Sequence, residues 1–203
     1  MDWNNFRLTT RLNLSAELIE EIYLILAEID GVKNSWKLTG KLEPKTIERL
    51  THAVIITSSG SSNRIEGNRL TDDEVNNLYK NLRIKKFRTR DEQEVAGYLE
   101  TLALVFNNYA EILIKESSIL YLHQNMLKYS DKDARHKGQY KLGSNRVEAK
   151  DQSGNIIGVI FEPTPPHLVS KEMHELLDWY ALAKDETNKH PLILAANFLF
   201  EYL

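Results

Sequence analysis

The 203-residue chain has no cysteine, 42% hydrophobic and 27% charged residues, and a formal net charge of -3. This fits one globular domain or a tightly joined pair and excludes structural disulfides and thiolate metal sites. Its apolar runs fall short of the roughly 18 residues needed to cross a bilayer, the start Met1-Asp2-Trp3-Asn4 lacks the features of a secretory signal, and 26 basic against 29 acidic side chains leave no bulk positive charge for a phosphate backbone. A cytoplasmic protein with no membrane partner is expected, and nucleic acid is not the first partner to look for.

The nine glycines and five prolines are clustered, so the stretches between them read as long helices. Leu14, Leu18, Ile22, Leu26 and Ile29 recur at spacings of four and three, with Ser15 placed to cap and Gly31 expected to end this first helix. A second helix starts at Pro44, runs through Ile47, Leu50, Val54 and Thr57, and is expected to break at Ser58-Ser59-Gly60-Ser61-Ser62. Thr71-Asp72-Asp73-Glu74 reads as a capping box that opens a third helix ending near Asn81. Glu92 to Lys115 places Val95, Tyr98, Leu99, Leu102, Phe106, Tyr109 and Leu113 on one face of a central helix. Ser118 to Tyr129 follows, with Ile119, Leu122, His123, Met126 and Leu127 inward.

The helical period is lost from Gly138 to Pro166. Arg146 to Ala149 and Ile156 to Phe161 flank the turn-rich Asp151-Gln152-Ser153-Gly154-Asn155 and predict a small hairpin. After Pro163, Pro165 and Pro166, helical spacing resumes through Leu168, Met173, Leu176, Leu177 and Tyr180. His190-Pro191 to Leu203 is almost wholly apolar, as for a helix in the middle of a core. It carries no capping glycine and no basic last turn, so the chain is expected to be cut short there.

The order of these features resembles the Fic (filamentation induced by cAMP) family. Ser62-Asn63-Arg64-Ile65-Glu66-Gly67-Asn68 is similar to its inhibitory-helix pattern. Gln93-Glu94-Val95-Ala96-Gly97-Tyr98 resembles the start of its long central helix, and Leu122-His123-Gln124-Asn125-Met126-Leu127 the helix that follows. Gly138-Gln139-Tyr140-Lys141 through Phe161-Glu162-Pro163 looks like its hairpin flap, and Pro165-Pro166, Leu177-Asp178-Trp179 and His190-Pro191-Leu192 with Ala195-Ala196 fit the approach to its catalytic loop. The resemblance covers roughly residues 40 to 203 and rests on order and spacing together. It implies an all-α Fic-type helical bundle with a small β-hairpin (flap) insertion. The expected organisation is an N-terminal helical region over 1–80 with the inhibitory helix around 57–68, and the N-terminal and middle part of a Fic domain over 90–203 with its flap at 138–166.

Characterised members of that family mostly transfer AMP from ATP to protein hydroxyl groups. The resemblance implies a protein adenylyltransferase that uses ATP and Mg²⁺ on Ser, Thr or Tyr of a target protein. The family signature His-Pro-Phe-x-Asp/Glu-Gly-Asn-Gly-Arg-x-x-Arg occurs nowhere in these residues. In relatives its histidine is the general base, its acidic residue holds Mg²⁺, and its Gly-Asn-Gly amides receive the phosphates. None of the six histidines here has a neighbouring glycine-rich loop, so no catalytic residue is assigned and neither ATP nor Mg²⁺ is expected to bind productively to this chain alone.

By the same resemblance, Ser62, Glu66 and Gly67 form the inhibitory site. Glu66 would occupy the place of the ATP γ-phosphate and pair with the last signature arginine. Four residues apart on a helix, Ser62 and Glu66 share a face, so the hydroxyl is expected to donate to the carboxylate. Arg64 and Asn68 are expected to be solvated. The flap residues Val147, Glu148, Ala149, Val159, Ile160 and Phe161 would dock an extended target segment through their backbone by strand addition. Lys85 to Arg90 reads as a solvated inter-helix loop, Asp2-Trp3 and Trp36 as hydrophobic anchors, and Asp131, Asp133 and His136 as a polar loop without a metal. Two other readings stay open, a Fic-like regulatory module without chemistry and a helical interaction protein associated with DNA through Lys85 to Arg90. Self-association into a homo-oligomer through exposed apolar surface also stays open.

Overall fold

The structure, a computed structural model, describes residues 14–38, 43–83, 86–186 and 188–203. Among them are α1 (Ala16–Leu38), α2 (Pro44–Ile65), α3 (Asp72–Asn81), α4 (Arg90–Asn108), α5 (Glu116–Met126), β1 (Val147–Lys150), β2 (Ile156–Phe161), α6 (Pro166–Glu186) and α7 (Pro191–Tyr202). This is the expected helical class with one hairpin. Asp2, Trp3 and Lys85 lie outside the described residues. Among those described, no helix is long and apolar enough to cross a membrane.

Two compact units divide the chain, Met1–Ala53 with Asp178–Leu203, and Val54–Leu177. The division falls inside α2 and α6.

In the second unit, Ile55 and Ile56 of α2, Val75 and Leu78 of α3, and Val95 and Leu99 of α4 form one buried cluster, flanked by Leu70, Tyr79, Leu82, Phe87, Leu102 and Ala103. The capping box at Thr71 forms as expected, Glu74 N–H donating to Thr71 Oγ1 and Thr71 N–H to Glu74 Oε2. A second box, unforeseen, starts α4 at Thr89 with Glu92. It sets the start of α4 at Arg90, and the helix stops at Asn108, so Tyr109 and Leu113 fall beyond it and are exposed. Their spacing continues the period, but both side chains stay exposed, so no burial repays the order. Phe87 also departs from the solvated-loop reading. Its ring meets Tyr129 edge-on at 4.6 Å between centroids.

The expected break at Ser58 does not occur. Serine and glycine disfavour helix by up to about 1 kcal/mol each, but Ile55 and Ile56 on one side and buried Ser59 and Gly60 on the other hold the turn in the packed part of α2. A Cβ on Gly60 would lie 2.5 Å from Asp72 Oδ1, the far end of a flexible side chain that would have to shift.

In the first unit, Ser15 caps α1 as expected, Leu18 N–H donating to its Oγ at 3.3 Å. Gly31 does not end α1, which continues to Leu38. Only Leu26 of the α1 stripe is buried, while Leu18, Ile29 and the expected anchor Trp36 are exposed. His190 caps α7, its Nδ1 accepting from Leu192 N–H, and its Nε2 lies 3.5 Å from Asp30 Oδ2. Leu194 and Asn197 are buried, but Leu192, Leu199, Phe200 and Tyr202 are exposed. Apolar composition states what a helix can bury, not what covers it.

Candidate functional site

The end of α2 is built by its backbone. Gly67 N–H donates to Arg64 C=O at 3.0 Å and Asn68 N–H to Asn63 C=O at 3.0 Å. This pair of bonds is a Schellman stop with Gly67 as the left-handed residue, at φ +90°. Glu66 is therefore the C-cap, immediately after Ile65, and its side chain is exposed. A side chain with a Cβ is strained at the Gly67 φ. The glycine that the inhibitory pattern supplies is thus also the one that stops the helix.

The expected Ser62 to Glu66 hydrogen bond is corrected. Ser62 Oγ accepts from the Tyr98 hydroxyl of α4 at 3.2 Å. Glu66 lies in the turn beyond the helix, where the i,i+4 alignment of a continuous helix no longer applies. Among the described residues no hydrogen bond or ion pair to the Glu66 carboxylate is found. A carboxylate at a helix C-terminus faces the negative end of the dipole, which disfavours it by about 0.3–1 kcal/mol at low ionic strength. The fold gains nothing from this charge.

Of the two side chains expected to be solvated, Arg64 is exposed and Asn68 is not. Arg64 NH1 pairs with Asp72 Oδ1 at 2.8 Å and donates to Leu70 C=O at 3.1 Å. Asn68 is 8% exposed. Its Nδ2 donates to Asp91 C=O at 3.1 Å, and its Oδ1 accepts from Leu70 N–H at 3.1 Å. Asp91 Oδ2 in turn accepts from Arg69 N–H at 3.0 Å. The one sequence signal for this role is an asparagine directly after a helix-stopping glycine, a residue that bonds its own backbone two positions on. Asp91 and Tyr98 carry no such local signal.

The hairpin forms where expected, one residue later on its first strand. Val147 pairs with Phe161, Glu148 with Val159, Ala149 with Gly158 and Lys150 with Ile156, with two register slips. The slips leave Ile160 and Ile157 without opposite residues, and these are 70% and 69% exposed. Val147, Val159 and Phe161 are exposed, while Glu148 and Ala149 are half-buried, the former paired with Arg146. All of β2 is exposed, so its apolar side chains are not packed on the helices. Its outer edge has no strand partner among the described residues.

Asp151 holds the hairpin turn. Its Oδ1 accepts from Ser153 N–H and Asn155 N–H at 2.8 Å each, and its Oδ2 from Asn155 Nδ2 at 3.1 Å. The Asn155 side chain first, then its backbone amide, hold the carboxyl below the usual aspartate value of 3.8. A lowered value in the folded state means the turn gains from these bonds above pH 3.8 and loses them as pH falls through the depressed value. Amide resonances of Ser153 and Asn155 are expected to shift together on acidification at a midpoint below 3.8, and Asp151→Asn to abolish that titration. A midpoint at or above 3.8 contradicts the geometry.

No three His, Asp or Glu side chains converge to hold a metal ion among the described residues. Asp131 accepts from Gln93 and Asp133 from Ser130. His174 lies beside Glu116 and Ser170, far in sequence from any glycine-rich loop.

No family model matches this sequence, and no curated protein matches it. Among solved structures, the chain is similar to a Fic domain containing signaling protein from Bacteroides thetaiotaomicron, at 25% identity and a TM-score of 0.65. The match covers 83% of this chain and 61% of that one, so this chain spans less than two thirds of that protein's length.

Proposed function

We propose that this chain, which has the Fic fold, is the restraining and target-docking part of a protein adenylyltransferase, with Glu66 as its inhibitory group. The observation that carries the reading is the Glu66 carboxylate, exposed, without a side-chain partner, at the unfavourable end of α2 and yet in a turn held by backbone and side-chain bonds. A charge that costs the fold stability on a well-tied turn suits a group whose partner is a cation, such as the signature arginine. The free edge of β2 suits a target segment added as a strand, since main-chain bonds hold a hydroxyl at fixed depth without demanding sequence.

The signature is absent from these 203 residues, and the groups that would hold Mg²⁺ and phosphates are not supplied by them. The reading is tested with labelled ATP and Mg²⁺. The 203-residue chain is expected to label no protein. A polypeptide in which these residues are followed by the signature is expected to label itself or a target once Glu66 is replaced by glycine. Silence of that variant ends the adenylyltransferase reading, and labelling by the 203-residue chain alone contradicts the role assigned to the signature.

A further inference from the structure

We propose that Asn68 and Asp91 are positioning residues that set where Glu66 stands, so that the first turn of α4 controls the inhibitory carboxylate. The inference rests on the reading of Glu66 as the inhibitory group and extends it to the regulation of that site.

Among the described residues Glu66 has no side-chain bond of its own. Its place is fixed by three ties around it. The first is Asn68, whose backbone N–H closes the stop on Asn63 C=O, whose Nδ2 reaches Asp91 C=O, and whose Oδ1 takes Leu70 N–H. Asp91 answers with its own carboxylate on Arg69 N–H, so both its backbone and its side chain grip the two residues that follow Gly67. The second tie is the Tyr98 hydroxyl on Ser62 Oγ, seven residues or about two turns further along α4, where it lies on the same face as Asp91. The third is Arg64 with Asp72 at the start of α3, in the space that Gly60 leaves open.

Burial makes the Asn68 tie demanding. At 8% exposure its amide cannot exchange the Asp91 carbonyl for water without moving the turn. Asn68→Asp is the informative substitution. It keeps an oxygen for Leu70 N–H but removes the donor to Asp91 C=O and sets a second carboxylate beside the Asp91 carboxylate. The helix stop should loosen while α2 and α4 remain formed.

Two measurements test this. In the 203-residue chain, amide hydrogen exchange at Glu66, Gly67 and Asn68 is expected to quicken about tenfold or more in Asn68→Asp, with α4 beyond Tyr98 unchanged and with Glu66→Gln like the parent. Unchanged protection in Asn68→Asp overturns the tie. In a polypeptide that also carries the signature, Asn68→Asp is expected to raise AMP labelling several-fold. In a Glu66→Gly background it is expected to add nothing, because the group it positions is already gone. A merely structural role would alter labelling in both backgrounds, and that result overturns the proposal. So does a rise with Glu66→Gly that Asn68→Asp fails to reproduce. No rise with Glu66→Gly would defeat the inhibitory reading itself, while the exchange measurement still decides whether Asn68 holds the turn. Should Asn68→Asp fail to fold, Asp91→Ala, which removes the carboxylate from Arg69 N–H, is carried through both measurements with the same expected signs.

Discussion

Glu66→Gly in a polypeptide that carries these residues followed by the signature is expected to raise AMP labelling by about 5- to 150-fold, the range of ordinary coupling between a regulatory group and a site. In this reading the carboxylate competes with an anionic phosphate for one cation, and its removal frees the cation. The stability of the fold should hardly register the change. Glu66 is exposed, pairs with no side chain among the described residues, and faces the negative end of α2. Glu66→Gln in the 203-residue chain is therefore expected to leave stability unchanged or raised by no more than about 1 kcal/mol at low salt, so that the melting temperature does not fall. A group that supported the fold would show the opposite. Equal labelling by parent and Glu66→Gly would remove the latch, and a clear fall in the melting temperature of Glu66→Gln would show that the carboxylate has a structural partner.

Gly97→Ala is expected to destabilise the chain by about 2 kcal/mol or more, while Gly31→Ala, the same chemical change, stabilises it by about 0.5–1 kcal/mol. Both glycines lie inside helices, where alanine is the better residue. At Gly31 a Cβ meets nothing within 4 Å, so only the propensity gain remains. At Gly97 the added carbon would collide with the Met126 carbonyl oxygen and lie 2.8 Å from its carbon. Both atoms are backbone, so no rotamer change relieves the clash, and the end of α5 must move away from α4. A neighbouring backbone group has no slack either, since Thr101 Oγ1 donates to Gly97 C=O at 2.8 Å. For a chain of this size each kcal/mol moves the melting temperature by about 2–4 °C. Calorimetry on the two variants should give shifts of opposite sign, and a stabilised Gly97→Ala would mean that α4 and α5 do not approach each other as closely as described.

Legibility of the fold tracked the reach of the signal. The Thr71 to Glu74 box, the Pro44 start and the hairpin over Val147 to Phe161 were all readable because each is written within a few neighbouring residues. Local rules failed where packing opposed them. Gly31 and Ser58 to Ser62 look like stops, yet α1 and α2 run through both, since a weak propensity yields to burial in α2 and to a tolerated cost in α1. The reverse error occurred after Asn108, where the apolar period continues through Tyr109 and Leu113 but the helix does not.

By itself, the sequence determined the helical class and the hairpin, because these depend on dihedral preference and on periods of two and 3.6 residues. Tertiary structure alone decided that Ser62 meets Tyr98 rather than Glu66, that Asn68 is a buried tie rather than a solvated side chain, and that Gly97 admits no methyl group. Those partners lie far away along the chain, as Asn68 does from Asp91. A hydrogen bond between distant residues depends on how helices pack, and no short stretch of amino acids encodes that.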